Sequence, residues 1–192
     1  RALLRALAIA PLVGVSACDP SKPQFVSIDI TGADYARSFR LPDQHGQVRT
    51  LDDFKGQVVM VFFGFTQCPD FCPTTLSEMV QVKHDLGAQG DKMQAIFITL
   101  DPERDTPELL KAYMGNFDPS FLALVPTLET LPALAKDFKI YYKKVEGVKP
   151  ANYTLDHSAG TYIYDTEGHL RLYARYGLGV PALTADVKQL LK

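Results

Sequence analysis

Cys68 and Cys72 stand in the stretch FGFTQCPDFCPTT with three residues between them, directly after an apolar run. Two thiols so placed can form a disulfide switch, supply a peroxide-reactive nucleophile with a neighbour, or make one edge of a metal site. Pro73 suits the first turn of a helix, which puts Cys72 at a helix N-terminus, where unpaired N–H groups and the dipole favour a thiolate. Redox centres and soft-metal sites both need a thiolate, so this placement does not choose between them. One residue more than the two-residue gap of dithiol oxidoreductases lets the sulfurs converge without being obliged to bond. A peroxidatic centre would need a hydroxyl donor three residues before its cysteine, and those positions hold Phe65 and Pro69. A purely structural disulfide would close a very short loop and stabilise the fold by less than the ~3 kcal/mol of a 15-residue loop.

The elements that must position the pair are legible around it. VVMVFFGF (58–65), apolar throughout and rich in β-branched and aromatic types, predicts a central strand buried on both faces. PTTLSEMVQVKHDLGAQG carries Leu76, Met79, Val80, Val82 and Leu86 at helical spacing. MQAIFITL (93–100) predicts a second buried strand, and DTPELLKAYMGNF a helix capped by Asp105 or Thr106. LETLPALAKDFKI is a shorter helix, GTYIYDTEGHLRLYARYG a hairpin turning at Thr166-Glu167-Gly168, and LTADVKQLLK an amphipathic closing helix. SFRLPDQHGQVRTLDDFKGQ suggests a further hairpin at the entry to the domain. This order belongs to an α/β sandwich with a parallel portion and an antiparallel edge, and the cysteines fall at the carboxyl end of its first central strand, where ligands usually sit.

No tryptophan occurs in the chain, and no proline stands immediately before TYIYD, both of which dithiol oxidoreductases of this architecture commonly carry. LDHSAGTYIYD offers His157 instead. Two thiolates and an imidazole form a soft three-ligand set suited to Cu(I), to which Cu(II) adds an oxygen ligand; structural zinc would require a fourth protein ligand. The alternative for His157 is a polar loop residue hydrogen-bonded to Asp156 or to backbone. His45, His84 and His169 read as ordinary surface histidines.

Apolar residues make up 46% of the 192 residues and charged residues 22%, a globular balance, and the net charge of −2 with no basic stripe excludes nucleic acid as a partner. Residues 1–18 read as an export signal: Arg1 and Arg5 precede an apolar stretch too short to span a membrane, ending in Val15-Ser16-Ala17-Cys18. That ending resembles a bacterial lipobox, with Cys18 as the lipidated residue, and the start of the leader is expected upstream of Arg1. Residues 19–36 read as a tether with one short strand at FVSIDI, and 37–192 as the domain. Lipidation of Cys18 leaves one close pair outside the cytosol, where disulfides persist unless reduced.

GFTQCPDFCPTTLSEM, TLDPERDTP and DHSAGTYIYD, in that order, resemble the Sco/SenC family of copper-binding proteins associated with cytochrome c oxidase assembly, from about Phe39 to the C-terminus. The resemblance implies a thioredoxin-like three-layer α/β sandwich with a central mixed sheet, an N-terminal hairpin extension and an inserted hairpin. It implies copper as the metal, Cys68, Cys72 and His157 as ligands, and Asp101 as a group beside the site that orients a ligand or meets a client. The implied client is the CuA site of oxidase subunit II. Another periplasmic copper chaperone or a thioredoxin-like reductant is a further partner, and the expected location is the bacterial envelope, membrane-anchored and facing the periplasm. The implied role is a metallochaperone, with thiol-disulfide exchange as the rival activity.

Overall fold

A computed structural model describes residues 23–147 and 152–192. The apolar run is strand β4 (Val58–Gly64), buried along its whole length, and β5 (Met93–Thr99) pairs parallel with it, Val58 opposite Met93 and Gly64 opposite Thr99. Antiparallel to β4 on its other side runs β9 (Thr161–Tyr164), followed outward by β10 (Leu170–Ala174) and β1 (Ile28–Asp29), while β6 (Leu122–Leu124) extends the parallel edge beyond β5. The six-stranded mixed sheet therefore runs β1-β10-β9-β4-β5-β6. Two separate ribbons complete the strands: β2 (Leu41–Pro42) with β3 (Val48–Arg49), the expected entry hairpin, and β7 (Tyr142–Glu146) with β8 (Tyr153–His157), the inserted one.

Side chains alternate across β4. Met60 and Phe62 face one layer: Met60 lines a small crevice with Met79 of α1 (Phe71–Asp85) and Leu183 of α4 (Val180–Leu190), and Phe62 packs on Phe97, which in turn meets Tyr113 of α2 (Pro107–Gly115). Phe63 faces the other layer, edge-on to Phe138 at the end of α3 (Leu131–Asp137) with ring centroids 5.0 Å apart. Helices on both faces give the three-layer thioredoxin-like sandwich.

Several boundaries differ from the sequence reading for local reasons. α1 starts at Phe71, so Pro73 is its third residue and still needs no intrahelical donor there. α4 starts three residues before Leu183, with Gly179 preceding it and Pro181 in its first turn. β7 is exposed along four of its five residues, so no apolar alternation announces it. Within the stretch read as tether, Val26 and Ser27 donate their backbone N–H groups to the Asp186 carboxylate of α4 at 2.7 and 2.8 Å, and Ala36 is buried with its carbonyl accepting the Tyr164 hydroxyl at 2.7 Å.

Candidate metal centre

The chain leaves β4 at Gly64, where a side chain has no room: a Cβ there would lie 2.7 Å from Cys72 Sγ and 2.8 Å from the Phe97 ring. The loop that follows is held by Asp105, a buried carboxylate that accepts from the Thr66 backbone N–H at 3.1 Å and hydroxyl at 2.5 Å, and from the Thr99 hydroxyl at 2.6 Å. Burial pushes the Asp105 carboxyl above the usual carboxylate range against the opposing pull of those donors. Cys68 then closes a turn through its N–H to the Phe65 carbonyl, and α1 begins three residues later.

Cys68 Sγ, Cys72 Sγ and a ring nitrogen of His157 all lie within 4.8 Å of one another. Donors about 2.0–2.3 Å from one shared ion sit roughly 3.5–4 Å apart, so the trio stands close to ligating separation. His157 ends β8 and its ring packs edge-on against Phe65 and Phe62, at 5.8 and 6.2 Å between centroids. Its Nδ1 lies 2.9 Å from the Ser158 carbonyl, an acceptor only, so Nδ1 carries the proton. Nε2 is left with its lone pair free, 3.7 Å from Cys72 Sγ. Backbone bonding and proximity to the thiols, set against each other as alternatives in the sequence, belong to the two nitrogens of one ring.

The charge falls on the other sulfur than the helix placement suggested. A hydrogen bond from Cys72, with the backbone N–H groups of Asp70 and Cys72, holds the Cys68 thiol far below its ordinary value against burial. Donating to Cys68, together with burial, pushes the Cys72 thiol far up. The N–H groups at the start of α1 thus converge on Cys68 and not on Cys72. A soft cation that engages both sulfurs must displace the proton they share.

Cys68 is 7% exposed and Cys72 fully buried. A groove of about 380 Å³ lined by Phe65, Cys68, Pro69, Phe71, Tyr141 and His157 gives access to the trio from the Cys68 and His157 side. A larger groove of about 500 Å³ beside Arg37, Asp165 and Arg171 contains no cysteine, and its Arg171 is already paired with Asp165 at 3.0 Å.

Asp101 is buried but meets neither thiol nor imidazole. It accepts from the Tyr153 hydroxyl at 2.7 Å and from Arg104 Nε, and so touches the ribbon that carries His157. Arg104 and Tyr153 escaped the sequence reading, and Asp105 was read there only as one of two candidate helix caps, a role Thr106 fills; Arg104 and Asp105 stand in the TLDPERDTP block, whose chemistry-bearing side chains were the available signal. His84 is exposed beside Asp85, and His169 is exposed beside Glu167 at the β9–β10 turn. Cys18 lies outside the described residues.

A family model described as SCO1/SenC matches residues 28–192. A SCO2-like protein of Rickettsia felis is 36% identical over 172 residues, covering 84% of each chain. Among solved structures, copper-bound ScoI of Bradyrhizobium japonicum aligns with a TM-score of 0.71 at 37% identity over 79% of this chain and 96% of its own. Apo Sco1 of Thermus thermophilus aligns at 0.73 and 32% identity over 86% and 96%.

Proposed function

This chain belongs to the SCO1/SenC family, and from that premise we propose that it handles copper in cytochrome c oxidase assembly, holding the ion through Cys68 Sγ, Cys72 Sγ and His157 Nε2. The observation that carries the reading is the convergence of two thiols and a correctly tautomerised imidazole across a groove. Copper bound to a relative of 37% identity supports the choice of metal. Two sulfurs and one nitrogen suit Cu(I), and the groove leaves space for the oxygen ligand Cu(II) would add.

Uptake starts from the Cys68 thiolate and releases the Cys72 proton. Delivery follows from access: a client ligand entering the groove meets the Cys68 and His157 side first, and fully buried Cys72 lets go last. We read the client as the CuA site of oxidase subunit II, and Cys18 as a lipid attachment that confines the search to the membrane surface and raises the client's effective concentration. No helix among the described residues is long and apolar enough to cross a membrane. The partly accessible Cys68 thiolate also favours a second reading, thiol-disulfide exchange that keeps client cysteines reduced.

Copper titration of the reduced protein, with Cu(I) and Cu(II) separately, separates the two. His157→Ala is expected to lower copper affinity by at least the roughly 10–100-fold seen on losing even an outer partner of a metal ligand, while dithiol exchange continues. Full copper retention by that variant after gel filtration would exclude the three-ligand site.

A further inference from the structure

The β7–β8 ribbon pairs with no strand of the six-stranded sheet among the described residues, so its last residue, His157, is held against the cysteine loop by side-chain contacts together with the short link to β9. One side chain spans the gap. Arg104 Nη1 donates to Gln67 Oε1, the residue before Cys68, at 3.0 Å, and to the Tyr153 carbonyl at the start of β8, at 2.9 Å. Its Nε donates to Asp101, whose other oxygen accepts the Tyr153 hydroxyl at 2.7 Å. The guanidinium carbon lies 3.5 Å from the centre of the Tyr153 ring and 5.9 Å from that of Phe65, and Lys144 Nζ stacks 3.8 Å from the Tyr153 ring centre.

We propose that Arg104 is a positioning residue: with Asp101 as its brace, it clamps the ribbon to the cysteine loop and thereby sets the His157 imidazole against the two thiols. The reasons lie in geometry. The planar guanidinium donates to Asp101 from Nε and to Gln67 and the Tyr153 carbonyl from Nη1 while lying on the Tyr153 ring, a fixed geometry that the shorter, tetrahedral ammonium of lysine does not reproduce. The Arg104 side chain is 17% exposed and Asp101 3%, so the bonds to Asp101 and to the Tyr153 carbonyl are partly shielded from competing water, while the bond to Gln67 lies at the surface. The ion pair that joins the ribbon to the loop carrying Arg104, Lys144 with Glu103 at 3.0 Å, is 40% and 49% exposed and contributes little. This gives Asp101 its place as well: it acts on the metal trio through Arg104 and Tyr153.

The inference rests on the copper reading, and its test keeps the two apart. In the metal-free reduced protein, Arg104→Met is expected to speed amide hydrogen exchange in 142–146 and 153–157 by tenfold or more while β4 and β5 amides stay protected. Arg104→Lys, which keeps the charge without the fork, should do the same. In copper competition, Arg104→Met should weaken binding, and the Arg104→Met/His157→Ala double variant should bind no worse than His157→Ala alone, because the clamp acts through the imidazole. Unchanged ribbon exchange, or a copper loss that simply adds to that of His157→Ala, overturns the proposal. Absence of copper binding by the unaltered protein would defeat the metal reading, and ribbon exchange then decides the clamp. If Arg104→Met does not fold, Tyr153→Phe removes only the hydroxyl that Asp101 braces; faster ribbon exchange in that variant supports the clamp, and unchanged exchange overturns it.

Discussion

At the scale of single residues, Gly64 is constrained by what stands above it. Cys72 Sγ and the Phe97 ring occupy the space of its missing side chain. Gly64→Ala is therefore expected to cost about 1–3 kcal/mol by overpacking, read from urea midpoints, and to weaken copper binding because the sulfur must move. Asp105 gives a pH dependence with a definite sign. Its folded pKa is raised, so its contribution to stability is present below the unfolded carboxylate value of about 4 and is lost as pH rises through the folded value. The stability of the unaltered protein relative to Asp105→Asn should thus fall as pH rises above about 4 in denaturant titrations. A difference that grows with pH would mean that the Thr66 and Thr99 donors outweigh burial.

At the scale of elements, the contrast lies between strands held by ladders and segments held by side chains. β4 and β5 pair along seven positions and were legible because an apolar run buried on both faces has few other places to go. β1 pairs at two positions only, and the Asp186 carboxylate beneath it takes the Val26 and Ser27 N–H groups. Asp186→Ala should cost about 1.5–3 kcal/mol, the range for hydrogen bonds to a charged group, and speed amide exchange in residues 26–30 without touching β4. The ribbon is the same case nearer the site. Its strands show little apolar alternation, since most of their side chains are exposed and the ones that matter reach sideways to Arg104 and Asp101.

At the scale of the whole molecule, the proposed copper site draws its donors from two distant segments, which makes copper uptake depend on folding. Cu(I) at about 1,000 times its dissociation constant adds up to about 4 kcal/mol, which for a chain of this size raises Tm by about 8–16 °C. The unfolded chain keeps its neighbouring cysteines and retains part of that affinity, so the fold-specific share comes with His157. Calorimetry should show a clearly smaller rise for His157→Ala and none for Cys72→Ser. An equal rise in the His157 variant would place the metal on the cysteines alone.

What the sequence determined by itself is local. An apolar run, two cysteines, a proline and a helical period within about thirty residues put the thiols on a strand-to-helix turn, because burial and helix initiation act over short separations. The architecture followed from the order of such segments, and the family blocks named the distal histidine. Tertiary structure decided what depends on long separations and on directions in space. It brought His157 to Cys72 across 85 residues and chose which imidazole nitrogen faces the sulfur. It also turned the N–H groups at the start of α1 toward Cys68 and set Asp101 against the ribbon that carries His157. Each of these turns on where a donor points, and residue type and spacing carry no record of direction once the chain leaves a regular element.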